Sequence, residues 1–107
     1  MALNNLQDLY IAELKDIYSA NKQSKSTTKM LAKEATDADL VKALERGVDG
    51  VDKGMKTMES ILANHGHKPS GEFCKGMEGL IKEAKHHVTE ESFGDTDVKD
   101  AMIVTQY

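Results

Sequence analysis

The sequence predicts an all-α protein, and three observations support this fold class. Apolar residues recur at the three- and four-residue spacing of a helix face, without the alternation typical of a strand. The 107 residues include one proline and no tryptophan, and 39% of them are hydrophobic, which suits long uninterrupted helices. A chain of this length fits one domain, so we expect residues 1–107 to form a single helical unit.

The first predicted helix runs from about Leu6 to Ala35 and would be roughly 45 Å long. Its apolar stripe is interrupted in the middle by a band of polar residues. Such a band at core positions is either satisfied by partners or functional. The apolar members of the stripe are Leu6, Tyr10, Leu14, Ile17, Leu31 and Ala35, and the polar band is Asn21, Ser24 and Thr28.

The second predicted helix carries an apolar stripe from Leu40 to Leu62, with three glycines beside it. Each glycine should cost a helix interior about 1 kcal/mol relative to alanine, so the glycines need a reason. Either a neighbouring helix crosses tightly over them, or they border a cavity where a cofactor site has been lost. The candidate positions of a former site or pocket are therefore Asn21, Ser24, Thr28, Gly47, Gly50 and Gly54.

Turn and cap signals divide the rest of the chain. Thr36 and Asp39 have the spacing of a capping box before the second helix, and Gly66 is placed to end that helix. A shorter helix is predicted to begin at Ser70. Residues 96–107 predict the first turns of another helix, whose apolar pattern is still running at the last residue.

Composition excludes several function classes. A formal net charge of −4 and a pI near 5.5 argue against nucleic-acid binding. We find no run of about twenty apolar residues and no leader pattern, so we expect neither a membrane span nor a signal peptide. The lone cysteine, Cys74, fits a reducing compartment, and we expect a cytoplasmic location. The lysines Lys22, Lys25, Lys29 and Lys33 could pair with Glu45, Asp49 and Asp52 on a neighbouring helix.

The histidines and the cysteine offer little recognisable chemistry. His65 and His67 could hold a metal, but no carboxylate or cysteine lies close in sequence to complete a tetrahedral shell. His86 and His87 are adjacent and would point about 100° apart on an α-helix, so sharing one ion would be difficult. Cys74, near the start of the third helix, is interpreted as a structural thiol. We therefore expect no catalytic residue.

The chain resembles the YciF/YciE-type ferritin-like proteins, in which a long helical hairpin precedes a short crossover helix and a second long hairpin. Three segments carry the resemblance. They are Asp8-Leu9-Tyr10 with the run from Asp16 to Gln23, the run from Cys74 to Ala84, and the run from Asp97 to Ala101. The resemblance implies a hairpin, a crossover helix and a partial third long helix.

The resemblance does not bring a metal site with it. Di-iron centres of this fold need carboxylates from four long helices, together with histidine or similar ligands. This chain has Asn21 where relatives typically carry glutamate, and glycines where they carry histidine, glutamate and glutamine. The remaining ligands would lie beyond Tyr107. We therefore transfer no metal, cofactor or catalytic residue to this chain.

We expect a non-enzymatic, metal-free ferritin-like protein of a stress-associated bacterial family, acting through self-assembly or protein interaction. Two long helices cannot cover both sides of their apolar stripe, so self-association should complete the bundle, with a homodimer favoured. If the chain is instead truncated at Tyr107, the missing helices would fill that role. Two alternatives stay open. One is a metalloprotein or oxidoreductase with a site rebuilt from His65, His67, His86 or His87 across an oligomer, and the other is a small-ligand binder in the emptied interior.

Overall fold

The computed structural model describes residues 3–70 and 72–107. These residues form helices and contain no strand, which confirms the all-α prediction. Helix α1 spans Leu6–Glu34, α2 spans Ala38–Asn64, α3 spans Lys75–Lys85 and α4 spans Thr96–Gln106. Helix α3 continues without a break into one π-helical turn at His86–Glu90. Within the described ranges, no helix is both long enough and apolar enough to cross a membrane.

Helices α1 and α2 form an antiparallel hairpin whose register is fixed by three side-chain pairs. As residue numbers rise along α1, the numbers of their partners fall along α2. The pairs are the edge-to-face rings of Tyr10 and His65, the hydrogen bond from Tyr18 to Glu59 at 2.7 Å, and the ion pair of Lys25 and Asp52 at 2.5 Å. The predicted pairing of the α1 lysines with α2 acids is thus realised at Lys25.

The helix ends follow sequence signals, with two corrections. Asp37, rather than Thr36, caps α2, because its carboxylate accepts a hydrogen bond from the Leu40 backbone N–H at 2.9 Å. Helix α3 begins at Lys75 instead of Ser70. Gly66 ends α2 as expected, with a φ of 75° that favours glycine.

The main apolar cluster sits at the loop end of the hairpin. It joins Leu31 of α1, Leu44 of α2, Val88 of the π turn and Ile103 of α4, all at most 2% exposed. Elements distant in sequence therefore converge on one small core. The α1–α2 loop, the π turn and α4 are held together there.

The molecule is elongated. Its extents are 54 × 23 × 16 Å and its radius of gyration is 16.5 Å, whereas a compact domain of this length would have about 13 Å. The accessible surface is 6939 Å², compared with about 5,900 Å² for a typical monomer of this mass. The fold thus leaves about 1,000 Å² more surface in solvent than such a monomer would.

Candidate functional site

A groove of about 680 Å³ lies between the hairpin, α3 and the end of α4. Its α1 wall contains part of the predicted polar band, and its α3 wall is mostly apolar. The hydroxyls of Ser24, Thr27 and Thr28 donate hydrogen bonds to carbonyls of their own helix at 3.1, 3.2 and 2.8 Å. These donors are already satisfied, so the wall presents methyl and methylene groups rather than free hydroxyl protons. The remaining lining residues are Leu31, Val51, Met77, Leu80, Ile81, Glu83, Ala84, Thr105, Gln106 and Tyr107.

The candidate positions separate into two groups. Ser24 and Thr28 line the groove, whereas Asn21 and the three glycines are not among its lining residues in the described chain. A Cβ atom added at Gly47 would overlap the hydroxyl of Tyr107. At Gly50 and Gly54, an added Cβ would meet no described atom within 4 Å. Of the three glycines, only Gly47 is therefore covered by a neighbouring side chain, the phenol ring of Tyr107.

The residues of the groove do not fit a di-iron centre of the kind found in ferritin-like proteins. Two metal ions need several carboxylates or imidazoles converging from different helices. The groove residues supply one carboxylate, Glu83, which is exposed on α3. Hydroxyl groups bonded to their own helix and apolar side chains cannot replace the missing donors.

Two of the sequence segments that carried the resemblance meet at a joint between α1 and α3. The backbone N–H of Cys74 donates to Ser19 Oγ at 3.0 Å, and Gln23 Nε2 donates to the Cys74 carbonyl at 3.0 Å. Gln23 also donates to Ser19 Oγ at 3.2 Å. Ser19 is 8% exposed, so this joint is part of the interior. These polar residues fasten the start of α3 to the hairpin.

The third segment forms a second joint through Asp100 on α4. Its carboxylate accepts hydrogen bonds from Thr36 N–H at 2.8 Å, Thr36 Oγ1–H at 2.7 Å and Asp37 N–H at 3.0 Å. The Thr36 hydroxyl and N–H hold the pKa of Asp100 below its ordinary value, with help from Asp37 and the charge of Lys99. Lys99 also pairs with Glu34 at 2.6 Å. Helix α4 is thereby attached to the α1–α2 loop.

The π turn changes the geometry expected for the adjacent histidines. Instead of diverging as on an α-helix, the rings of His86 and His87 lie 5.2 Å apart at an interplanar angle of 64°. His86 Nδ1 contacts Glu90 Oε2 at 2.7 Å, and His87 Nδ1 contacts Glu91 Oε1 at 2.9 Å. The Glu90 hydrogen bond, together with the charges of Glu90, Glu91 and Glu83, raises the pKa of His86.

The other two histidines, His65 and His67, are not part of a comparable cluster of histidine and acidic side chains in the described chain. His65 Nδ1 lies 2.9 Å from the Ile61 carbonyl, and its ring contacts that of Tyr10. Among the described residues, the one group of three or more histidine, cysteine and acidic side chains close enough to share an ion is His86, His87 and Glu91. Two of the four histidines, His86 and His87, belong to this group.

Sequence reasoning missed Ser19, Gln23 and Asp100 as determinants of the architecture. One signal was available, since all three lie in the segments that carry the family resemblance. The sequence did not identify the hydrogen-bond partner of each residue, because that partner lies 51 to 64 positions away. Local patterns report neighbours along a helix and do not report such distant partners.

This architecture defines a helical bundle-type protein whose characteristic sequence segments fasten one helix to another. The chain belongs to the family described as Domain of unknown function (DUF892), which matches residues 5–107. It is 27% identical over 105 residues to Protein YciF of Escherichia coli strain K12, covering 97% of this chain and 62% of YciF. The YciF-type resemblance inferred from the sequence is thus confirmed.

Solved structures give the same result. YcfI of Rhodopseudomonas palustris, for which a structural role has been suggested, superposes with a TM-score of 0.87 at 32% identity, covering 96% of this chain and 64% of YcfI. The crystal structure of the E. coli stress protein YciF superposes with a TM-score of 0.84 at 26% identity, covering 97% of this chain and 65% of YciF. The chain therefore spans less than two thirds of the length of these relatives.

Proposed function

We propose that this is a non-enzymatic, stress-associated protein that acts by self-association, with two copies completing a ferritin-like bundle that has no metal centre between its long helices. The observation that carries the proposal is the excess accessible surface of about 1,000 Å² over that of a typical monomer. Stable protein interfaces bury about 800 Å² on each partner. The excess is therefore large enough to form one such interface.

The groove supports a second copy as its occupant. Leu80 on the α3 wall is 61% exposed, and Met77 and Ile81 lie beside it. Apolar walls of this kind gain free energy when another apolar surface covers them. A twofold arrangement brings the same groove of each copy together, which closes the assembly at two chains.

The donor chemistry of the interior supports a non-catalytic role. The hydroxyls of Ser24 and Thr28 are bonded to carbonyls of their own helix. The joints at Ser19 and Asp100 hold helices together, and neither residue is among those lining the groove. The suggested structural role of YcfI and the description of YciF as a stress protein agree with this proposal. A single cysteine suits a reducing compartment, and we propose a cytoplasmic location.

Molar mass and metal content, measured together on the tag-free 107-residue protein, test the proposal. We expect twice the chain mass by light scattering and no stoichiometric iron or manganese by elemental analysis. A folded monomer at micromolar concentration would contradict self-association. Two equivalents of tightly bound iron or manganese per bundle would contradict the metal-free interior.

A further inference from the structure

We propose that His86, His87 and Glu91 form a binding site for a divalent transition-metal ion of the Zn²⁺ class on the outside of the helical bundle. Each residue offers one ligand atom, and these atoms all lie within 4.8 Å of one another. The site lies on the π turn and its C-terminal flank. It does not depend on the proposed self-association.

The ligand atoms are close to the spacing that such an ion requires. Glu91 Oε1 lies 2.9 Å from His87 Nδ1 and 3.9 Å from His86 Nε2. Metal–ligand bonds of about 2.0–2.1 Å in a tetrahedral site place neighbouring ligand atoms roughly 3.4 Å apart. Small side-chain rotations therefore suffice to bring the carboxylate and both imidazoles around one ion.

The backbone beneath the ligands is held by the core. Val88, which follows His87 directly, is 2% exposed and packs in the cluster with Leu31, Leu44 and Ile103. The π turn is therefore anchored on one side while its histidines and glutamates face solvent. Ligands on an anchored element need less ordering when a metal binds. Single π turns within α-helices are frequent at functional sites.

The donor set selects the class of ion. Two imidazole nitrogens and one carboxylate oxygen suit zinc, copper, nickel and cobalt, whereas magnesium and calcium prefer oxygen donors alone. His86 and His87 are 58% and 32% exposed at their side chains, so water can occupy the remaining coordination position. Glu90 contacts His86 Nδ1 and is placed to orient the imidazole ring of His86. The other ring nitrogen, His86 Nε2, faces Glu91.

Calorimetric titration of the tag-free protein with Zn²⁺ tests the site. We expect one equivalent of Zn²⁺ per chain. The double substitution His86→Ala with His87→Ala should weaken binding by about 10-fold or more, since even residues that only orient ligands are worth about 10- to 100-fold. Glu91→Gln should also weaken it. Because these side chains are exposed or half-buried, the variants should keep the wild-type far-ultraviolet circular dichroism.

The matched control is the double substitution His65→Ala with His67→Ala, which removes two histidines elsewhere and should leave Zn²⁺ affinity unchanged. Co²⁺ provides a second readout, since a tetrahedral nitrogen and oxygen site gives visible absorption that the His86 and His87 variants should lose. The absence of stoichiometric Zn²⁺ binding would overturn the proposal. Equal losses in the control and in the π-turn variant would overturn it as well. Neither result bears on the oligomeric state, so the proposed function is judged separately.

Discussion

Asp100 on α4 accepts three hydrogen bonds from a loop that lies 63 and 64 residues earlier in the chain. A carboxylate that satisfies two backbone N–H groups acts as a cap for that loop. The residue is 9% exposed, so water competes little for these donors. The same hydrogen bonds lower the pKa of Asp100, because they stabilise its charged form.

Asp100→Asn should lower the thermal unfolding midpoint by several degrees at neutral pH, because the amide loses the charge that strengthens these bonds. The difference from wild type should depend on pH. A carboxyl with a lowered folded-state pKa contributes stability that is present above its unfolded pKa and is lost as pH falls through the folded value. The unfolding midpoints of wild type and Asp100→Asn should therefore converge at strongly acidic pH, and circular dichroism melts between neutral and strongly acidic pH would measure this.

Asp97→Asn is the matched control, since Asp97 is an exposed aspartate in the first turn of the same helix. Its melting curves should lie much closer to wild type than those of Asp100→Asn. Equal effects of the two substitutions at every pH would contradict the special role of Asp100.

At the scale of elements, the long hairpin was predictable because each of its helices carries its own apolar stripe and end signals. The predicted helix from Leu6 to Ala35 ends at Glu34 in the structure. The start of α3 was less predictable, since Cys74 caps it without a side-chain hydrogen bond and is held from outside by Ser19 and Gln23. The π turn had no recognised signal in the local sequence, and its residue Val88 packs against cluster residues that are distant along the chain.

The glycine strip on α2 gives a prediction about helix stability. Gly50→Ala should raise the free energy of unfolding by about 1 kcal/mol, because alanine favours the helix interior and its Cβ meets no described neighbour. Gly47→Ala should gain less, because its Cβ must displace the hydroxyl of Tyr107. Urea denaturation of both variants measures the difference.

A Tyr107→Ala background supplies the control for this comparison. There the overlap at Gly47 is removed, so Gly47→Ala and Gly50→Ala should stabilise the fold by similar amounts. A loss of stability on Gly50→Ala would contradict the open surroundings of Gly50 and would favour the tight helix crossing considered from the sequence.

At the scale of the whole molecule, the elongated shape follows from a long hairpin covered by two short helices and one π turn. The fold class and family could be predicted from the sequence. The candidate site could be predicted only in part. Ser24 and Thr28 do line the groove, but the cluster of His86, His87 and Glu91 required a backbone conformation that the sequence does not specify.

Leu80→Glu tests the groove as the surface for self-association. A charge placed on the groove wall must lose its hydration when a second copy covers it, and about 2 kcal/mol of apolar burial is lost as well. The dimer dissociation constant should therefore rise by about 10-fold or more. Analytical ultracentrifugation over a range of protein concentrations measures the change.

Leu6→Glu is the control for the same charge change. Leu6 is 84% exposed at the first residue of α1, far along the hairpin from the groove. It should leave the dissociation constant near the wild-type value. Equal dissociation constants for wild type and Leu80→Glu would remove this groove from the interface.

The joint between Asp100 and the hairpin loop also has a consequence for the order of folding. The hairpin closes through a tight turn at residues 35–37, whereas the Asp100 bonds must close a loop of more than sixty residues. Longer loops cost more entropy to close and slow the contacts that depend on them. We therefore expect α1 and α2 to pair early, and α4 to dock last onto a loop whose backbone donors are already in place.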